Sequence, residues 1–157
     1  MMLDDELVEI SELLQPGVTK PHVDHAARAS WLAAMHEAMR SVGGAVVTAA
    51  EEPAVGRNYY RVGVEARDSI AGAILFNAAA VLVAAAEATD PQEIAVVFAA
   101  VPGSGVFSER GFQVASPEQL NEPLSEHHLH ALTADERRDV VYHRPSRLGD
   151  LLFNWFD

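Results

Sequence analysis

Ser69-Ile70-Ala71-Gly72-Ala73-Ile74-Leu75-Phe76-Asn77-Ala78-Ala79-Ala80-Val81-Leu82-Val83-Ala84-Ala85-Ala86 is an apolar run whose only interior polar side chain is Asn77. It is about as long as a membrane span needs to be. Alanine is barely hydrophobic, however, and Asn77 falls in the middle. No cluster of lysine or arginine flanks the run to orient it in a bilayer. The stretch therefore reads as a buried alanine-rich helix of a globular protein. Asp68 or Ser69 would cap it, and it would end near Asp90-Pro91.

The flanking segments set the fold class. Leu3, Leu7, Ile10 and Leu14 recur at helical steps, with Asp4, Asp5, Glu6, Glu9 and Glu12 on the other side, until Pro16-Gly17 stops the pattern. A second helix is expected from about Lys20 to Val42, capped by Thr19, with Val23, Ala27, Trp31, Met35, Ala38 and Val42 as its apolar stripe. Ala45 to Ala49 and Tyr59 to Ala66 have strand character. In the latter Tyr60, Val62 and Val64 alternate with Arg61, Gly63 and Glu65, as a half-buried strand requires. Beyond the alanine-rich run, Ile94 to Val101 reads as a buried strand and Pro102-Gly103-Ser104-Gly105 as a turn. Val106-Phe107 and Phe112-Gln113-Val114 read as a short hairpin. Helices resume at Ser116 and at Thr133, whose Glu136 completes a capping box, and Ser146 is a candidate cap for a terminal helix. The expected fold is one α+β domain over residues 1–157, a small, mainly antiparallel sheet covered by helices, with a helical C-terminal segment.

Composition removes several function classes. The chain has 157 residues, 49% of them hydrophobic, and a net charge of −12 from 23 acidic and 11 basic side chains. Such a charge repels phosphate backbones, so no nucleic-acid partner is expected, whereas a basic protein would be attracted. Cysteine is absent, which removes disulfides, thiolate nucleophiles and sulfur-ligated zinc. The acidic opening Met1-Met2-Leu3-Asp4-Asp5-Glu6 differs from the basic start of a secretory signal. A cytoplasmic protein without a membrane partner is expected.

The candidate chemistry is sparse. His22, His25 and His36 lie on the second predicted helix, but His25 and His36 would be roughly 16 Å apart, too far for one metal ion. Glu126-His127-His128-Leu129-His130 is denser: His127 and His130 share a helical side, and His143 could approach if the chain folds back. No H-E-x-x-H spacing, G-x-S-x-G elbow or phosphate-binding glycine loop is present. Glu51-Glu52 precedes a proline in a predicted loop, and Arg57-Asn58-Tyr59-Tyr60 places interface-prone residue types at a strand start. Equally, Tyr60 could point into the core and Tyr59 could cover a helix. The small residues of the alanine-rich run would permit close packing of two copies, so a homodimer is a further expectation.

The last residues, Pro145-Ser146-Arg147-Leu148-Gly149-Asp150-Leu151-Leu152-Phe153-Asn154-Trp155-Phe156-Asp157, are too apolar for a solvated tail and must dock. On a helix, Leu148, Leu151, Leu152, Trp155 and Phe156 would fall on one side, with Phe153 and Asn154 pointing elsewhere. Together with Asp139-Val140-Val141-Tyr142-His143-Arg144, this stretch resembles the C-terminal ending of small bacterial proteins that are uncharacterised or of toxin-immunity type. In those an aromatic-x-x-Pro element precedes a Gly-Asp/Glu-apolar-apolar-Phe-Asn-x-aromatic-Asp close. The resemblance implies a cytoplasmic protein that binds and neutralises a toxin enzyme without catalysis of its own.

The expected function is thus a non-catalytic protein-binding domain, an immunity-type inhibitor that occludes a cognate basic toxin. Glu51, Glu52, Arg57 and Tyr59 are its expected partner contacts, and no cofactor, metal or catalytic residue is expected. The alternative is a small metal- or ligand-binding enzyme built on the His127/His130 region.

Overall fold

The apolar run around Asn77 is two strands rather than one helix. The computed structural model describes residues 9–54, 56–88 and 96–156. Within it β3 (Ala71–Asn77) and β4 (Leu82–Glu87) pair antiparallel, Asn77 opposite Leu82, across a loop of three alanines and Val81. Helices cover both faces of this hairpin. Ala73, Leu75, Leu82 and Ala84 enter one apolar cluster, while Ile74, Phe76, Val83 and Ala85 enter the other. A strand buried on both faces shows no apolar–polar alternation, so its sequence looks like a buried helix. Asn77 makes the turn: its Oδ1 accepts the N–H of Ala80 at 3.1 Å.

The α+β architecture is a six-stranded, mostly antiparallel sheet in the order β1-β2-β3-β4-β5. β1 is Ala45–Val46, β2 is Tyr60–Glu65 and β5 is Phe98–Ala99. β2 keeps the expected alternation, with Tyr60, Val62 and Val64 buried on one face. The expected strand Ile94–Val101 shortens to Phe98–Ala99 among the described residues; Ile94 and the Asp90-Pro91 boundary lie outside them. The expected Val106-Phe107 strand is instead part of a helix, α2 (Ser104–Glu109), because Gly103 takes up a left-handed conformation and starts it. β6 (Gln113–Val114) then returns parallel to the beginning of β4, below β5 on the same edge.

One helical layer consists of α1 (His25–Ser41) and α2. The helix starts later than expected because Asp24, not Thr19, caps it: the Asp24 carboxylate accepts the N–H of Ala27 at 2.9 Å. Trp31, Met35, Ala38 and Met39 are buried against the sheet, with Trp31 stacked on Phe76 at 5.3 Å.

The opposite layer is built from short helices. These are α3 (Pro117–Leu120), α4 (Glu126–Leu129), α5 (Ala134–His143) and α6 (Gly149–Leu152). Ser116 and Thr133 cap α3 and α5 with the expected reciprocal bonds. Ser146 does not cap α6, which follows Leu148 and lasts one turn. Gly149 permits that turn to sit where it does, since a Cβ there would lie 2.5 Å from the Phe98 ring. The described part of the first predicted helix is a 3-10 turn at Ile10–Leu13; Leu3 and Leu7 lie outside the described residues.

Thr19 has another role. Its N–H and hydroxyl donate to the fully buried carboxylate of Glu136 at 2.9 and 2.6 Å, and the N–H groups of Gly17 and Thr133 donate at 2.8 and 2.9 Å. Burial alone raises a carboxyl pKa, but these bonds favour the ionised form and hold Glu136 below the ordinary 4.5.

Two outcomes follow. In the unfolded chain Glu136 titrates near 4.5, and in the fold below it, so its stabilisation is complete above the unfolded value and disappears as pH falls through the folded one. Glu136→Gln should therefore lose about 1–3 kcal/mol at neutral pH and show a shallower acid decline in urea titrations. Val81, a β-branched residue at φ 51°, occupies a left-handed conformation that costs roughly 1–2 kcal/mol. Val81→Asn should raise the urea midpoint, by about 1 kcal/mol of stability, without changing the slope.

Candidate functional site

Arg57 organises a place where an exposed aromatic meets acidic side chains. It follows a tight turn in which Ala54 and Arg57 exchange both backbone hydrogen bonds, at 3.0 and 2.9 Å. Its backbone pairs antiparallel with Trp155, which brings the C-terminus beside the loop that leads into β2. Each of its three guanidinium nitrogens donates locally. Nη1 donates to the Glu51 carboxylate at 3.0 Å, Nη2 to the carbonyl of Glu52 at 2.7 Å and Nε to the carbonyl of Tyr59 at 3.3 Å. It also stacks over Trp155, 5.5 Å from the ring centroid, and over Tyr59 at 5.7 Å. Glu51 is shared with Arg61 at 3.4 Å, whereas the carboxylate of Glu52 has His25 at 3.9 Å.

Glu51, Glu52, Arg57 and Tyr59, the four residues singled out in the sequence, are therefore neighbours. Their exposures differ. Glu51 and Glu52 project into solvent, Arg57 is mostly covered, and Tyr59 is only 2% exposed. Tyr59 packs edge-on against Phe153 at 5.8 Å and belongs to the core rather than to an accessible contact surface. Burial raises its phenol pKa, with Arg57 and Arg61 opposing, so it stays neutral near neutral pH.

Trp155 is the functional candidate that helical periodicity misplaced. Because α6 ends at Leu152, the following residues are extended: Phe153 and Asn154 turn inward, and Trp155 is 47% exposed. It lines one wall of an open groove of about 720 Å³ together with Val97, His143, Pro145, Phe153 and Phe156. His143 stacks flat on Phe156 at 4.6 Å. Next to it on α5, Val141 and Tyr142 are 73% and 81% exposed. The sequence signal for this surface was the Asn154-Trp155 alternation after a one-turn helix, which a longer helical reading hides.

The histidine-rich segment is arranged differently from the ligand set of the alternative reading. His127 and His130 lie 6.0 Å apart, ring to ring. His128 is buried and does structural work: Nδ1 accepts the Ser125 N–H at 3.1 Å, closing the cap of α4, and Nε2 approaches Glu122 at 3.3 Å. His143, which the alternative reading offered as a third ligand, stacks on Phe156. Among the described residues no three histidine, aspartate or glutamate side chains are grouped to hold a metal ion. The alanine-rich run cannot pack helix against helix between two copies, because it forms two strands at the centre of the sheet. No helix among the described residues is long and apolar enough to cross a membrane.

Compared with known proteins, the chain matches no family model, no curated protein and no solved structure.

The Arg57 strut makes a direct prediction. Arg57→Ala should cost about 1 kcal/mol, since three hydrogen bonds, two of them exposed to solvent, and the packing of the side chain on Tyr59 and Trp155 are lost. It should also raise the acrylamide quenching of Trp155, measured against Trp155→Phe to subtract the fully buried Trp31.

Proposed function

We propose that this chain is a non-catalytic protein-binding domain of the immunity type, which neutralises a basic toxin by covering its active surface. The observation that carries the reading is the half-exposed Trp155 held from below by Arg57 and bordered by Glu51 and Glu52. An aromatic anchor beside solvent-facing carboxylates is the arrangement that interfaces use: the ring supplies short-range energy, and the charges raise the encounter rate and select the partner. Preorganisation adds to this, because an indole already pinned on one face loses little freedom on binding.

The net charge of −12 supports a cationic partner. So does the arginine pairing within the chain. Arg57 and Arg61 are both drawn to Glu51, which leaves the Glu52 carboxylate facing outward beside a weakly placed histidine. A lysine or arginine of the partner would meet Glu52 and the open face of Trp155 together. The groove bounded by Val97, Pro145 and Phe156 extends the apolar contact away from that charge.

The test is complex formation with the purified product of the neighbouring gene, and rescue of cells that express it. Trp155→Ala should weaken binding by about thirtyfold or more, as loss of a hot-spot residue does, mainly through faster dissociation. Glu52→Gln should mainly slow association and flatten its salt dependence. Absence of both binding and protection would refute the proposal.

A further inference from the structure

The groove beside Trp155 has a chemistry more specific than its apolar character. Its volume of about 720 Å³ lies within the roughly 300–1,000 Å³ of ligand-binding clefts. Rings and a proline make up much of its lining. His143 and Phe156 stack at 4.6 Å with 1° between their planes, and Tyr142 sets its ring edge-on to His143 at 4.9 Å. Tyr142 is 81% exposed, so the row of rings continues from the groove onto the surface of α5. Trp155 is backed by the Arg57 guanidinium, and Pro145 and Val97 complete the apolar lining.

The polar groups nearby restrict what can lie there. The arginine and the carboxylate that line the groove neutralise each other, since Arg147 donates twice to Asp150, at 2.6 and 3.2 Å. The carbonyl of Val96 accepts from Arg147 at 3.0 Å, and that of Val97 accepts the N–H of Glu87 at 2.8 Å. A peptide that added itself as a β-strand would need free acceptors along this edge. Val96 and Val97 have none to give. An occupant must therefore bring a backbone that asks for no ladder, and polyproline II is such a conformation, solvated along its length and without internal hydrogen bonds. The charges around the groove are unequal. Glu51 and Glu52 are exposed beside Trp155, whereas the exposed Arg144 adjoins Pro145. A cationic residue is drawn towards Trp155 and away from Pro145.

We propose that this groove binds a proline-rich segment of the basic partner, held in the polyproline II conformation and flanked by an arginine or lysine. The inference rests on the reading of the Trp155 face as a contact surface and names what is contacted there. Aromatic-lined grooves take such segments because proline rings pack against ring faces. Proline also fixes its own φ, so the segment loses little freedom on docking. The flanking cation lies over the open face of Trp155 beside Glu52, where ring and carboxylate act together. An acidic segment is repelled by the net charge of −12.

The probe is decaproline with two arginines at one end and blocked termini, titrated calorimetrically into the full chain. It should bind at least about tenfold more tightly than a peptide of equal charge in which glycine and serine replace proline. Trp155→Ala and Phe156→Ala should each weaken binding about tenfold. Tyr142→Ala, at a position too exposed to disturb the fold, should weaken it about threefold. Glu52→Gln should do the same at low salt and have no effect at high salt. Equal affinity for the proline-free peptide or for a basic amphipathic helix, or no heat at millimolar concentration, would overturn the inference. The two proposals fail separately. If the neighbouring gene product binds through Trp155 but decaproline neither binds nor competes, the groove assignment falls and the proposed function stands. If decaproline binds as expected and the gene product does not, the proposed function falls and the groove assignment stands.

Discussion

The fold depends on three buried asparagines that satisfy the carbonyl groups of two chain segments far apart in sequence. Asn77 donates to the carbonyls of Val18 and Leu152 at 3.1 and 2.8 Å. Asn58 donates to the same two at 2.9 and 3.2 Å, and its own oxygen accepts the N–H of Asn154 at 2.8 Å. Asn154 completes the set by donating to Thr19 and Leu151 at 2.8 and 3.0 Å. Each carbonyl belongs to irregular backbone or to the end of a one-turn helix, where no ladder supplies a donor. Left unpaired in the interior, each would cost about 1–3 kcal/mol. A side-chain amide is the group for this, because it donates twice and accepts as well. The network therefore joins the N-terminal segment, the central hairpin, the loop before β2 and the C-terminus, and it specifies their arrangement more tightly than apolar packing does.

The same network explains what was legible in the sequence. The alternation of Tyr60, Val62 and Val64, the stripe of Trp31, Met35 and Ala38, and the capping box at Thr133 report local periodicity, and the structure contains them as read. So does the α+β class. The central hairpin was not legible as a hairpin, because coverage by helices on both faces erases the period of two. Its one local signal was Asn77, a lone amide amid eighteen residues of apolar character, which marked the turn and the polar network together. At the candidate site, the proximity of Glu51, Glu52, Arg57 and Tyr59 follows from their closeness in sequence. The burial of Tyr59 and exposure of Trp155 do not, since both depend on where a one-turn helix stops.

Arginine does most of the polar bracing. The chain has a single lysine, Lys20, which pairs with Asp139 at 2.6 Å. Arg147 donates to Asp150, to Asn121 and to the carbonyl of Val96, and covers the ring of Phe98 at 4.8 Å. Arg57 does the equivalent at the other end of the tail. A planar fork with five donors can hold several loops at once, which an ammonium cannot. Because these guanidinium groups are turned to carboxylates and carbonyls of their own chain, much of the positive charge is internally committed, and the outward field is that of the remaining acids.

That division bears on how a small protein presents a binding surface without loosening its core. The apolar tail residues Leu148, Leu151, Leu152 and Phe153 are buried, and Asn154 is locked by its amide bonds. Trp155 then has one backbone partner, Arg57, and one ring partner, the same residue. Its position is thus set by the buried residues immediately before it, while its outer face is left free. Anchoring by the preceding backbone, and not by the contact residue itself, is what allows an indole to remain exposed and still be rigid. Energy that a mobile tryptophan would lose in ordering on contact is already spent in folding the tail.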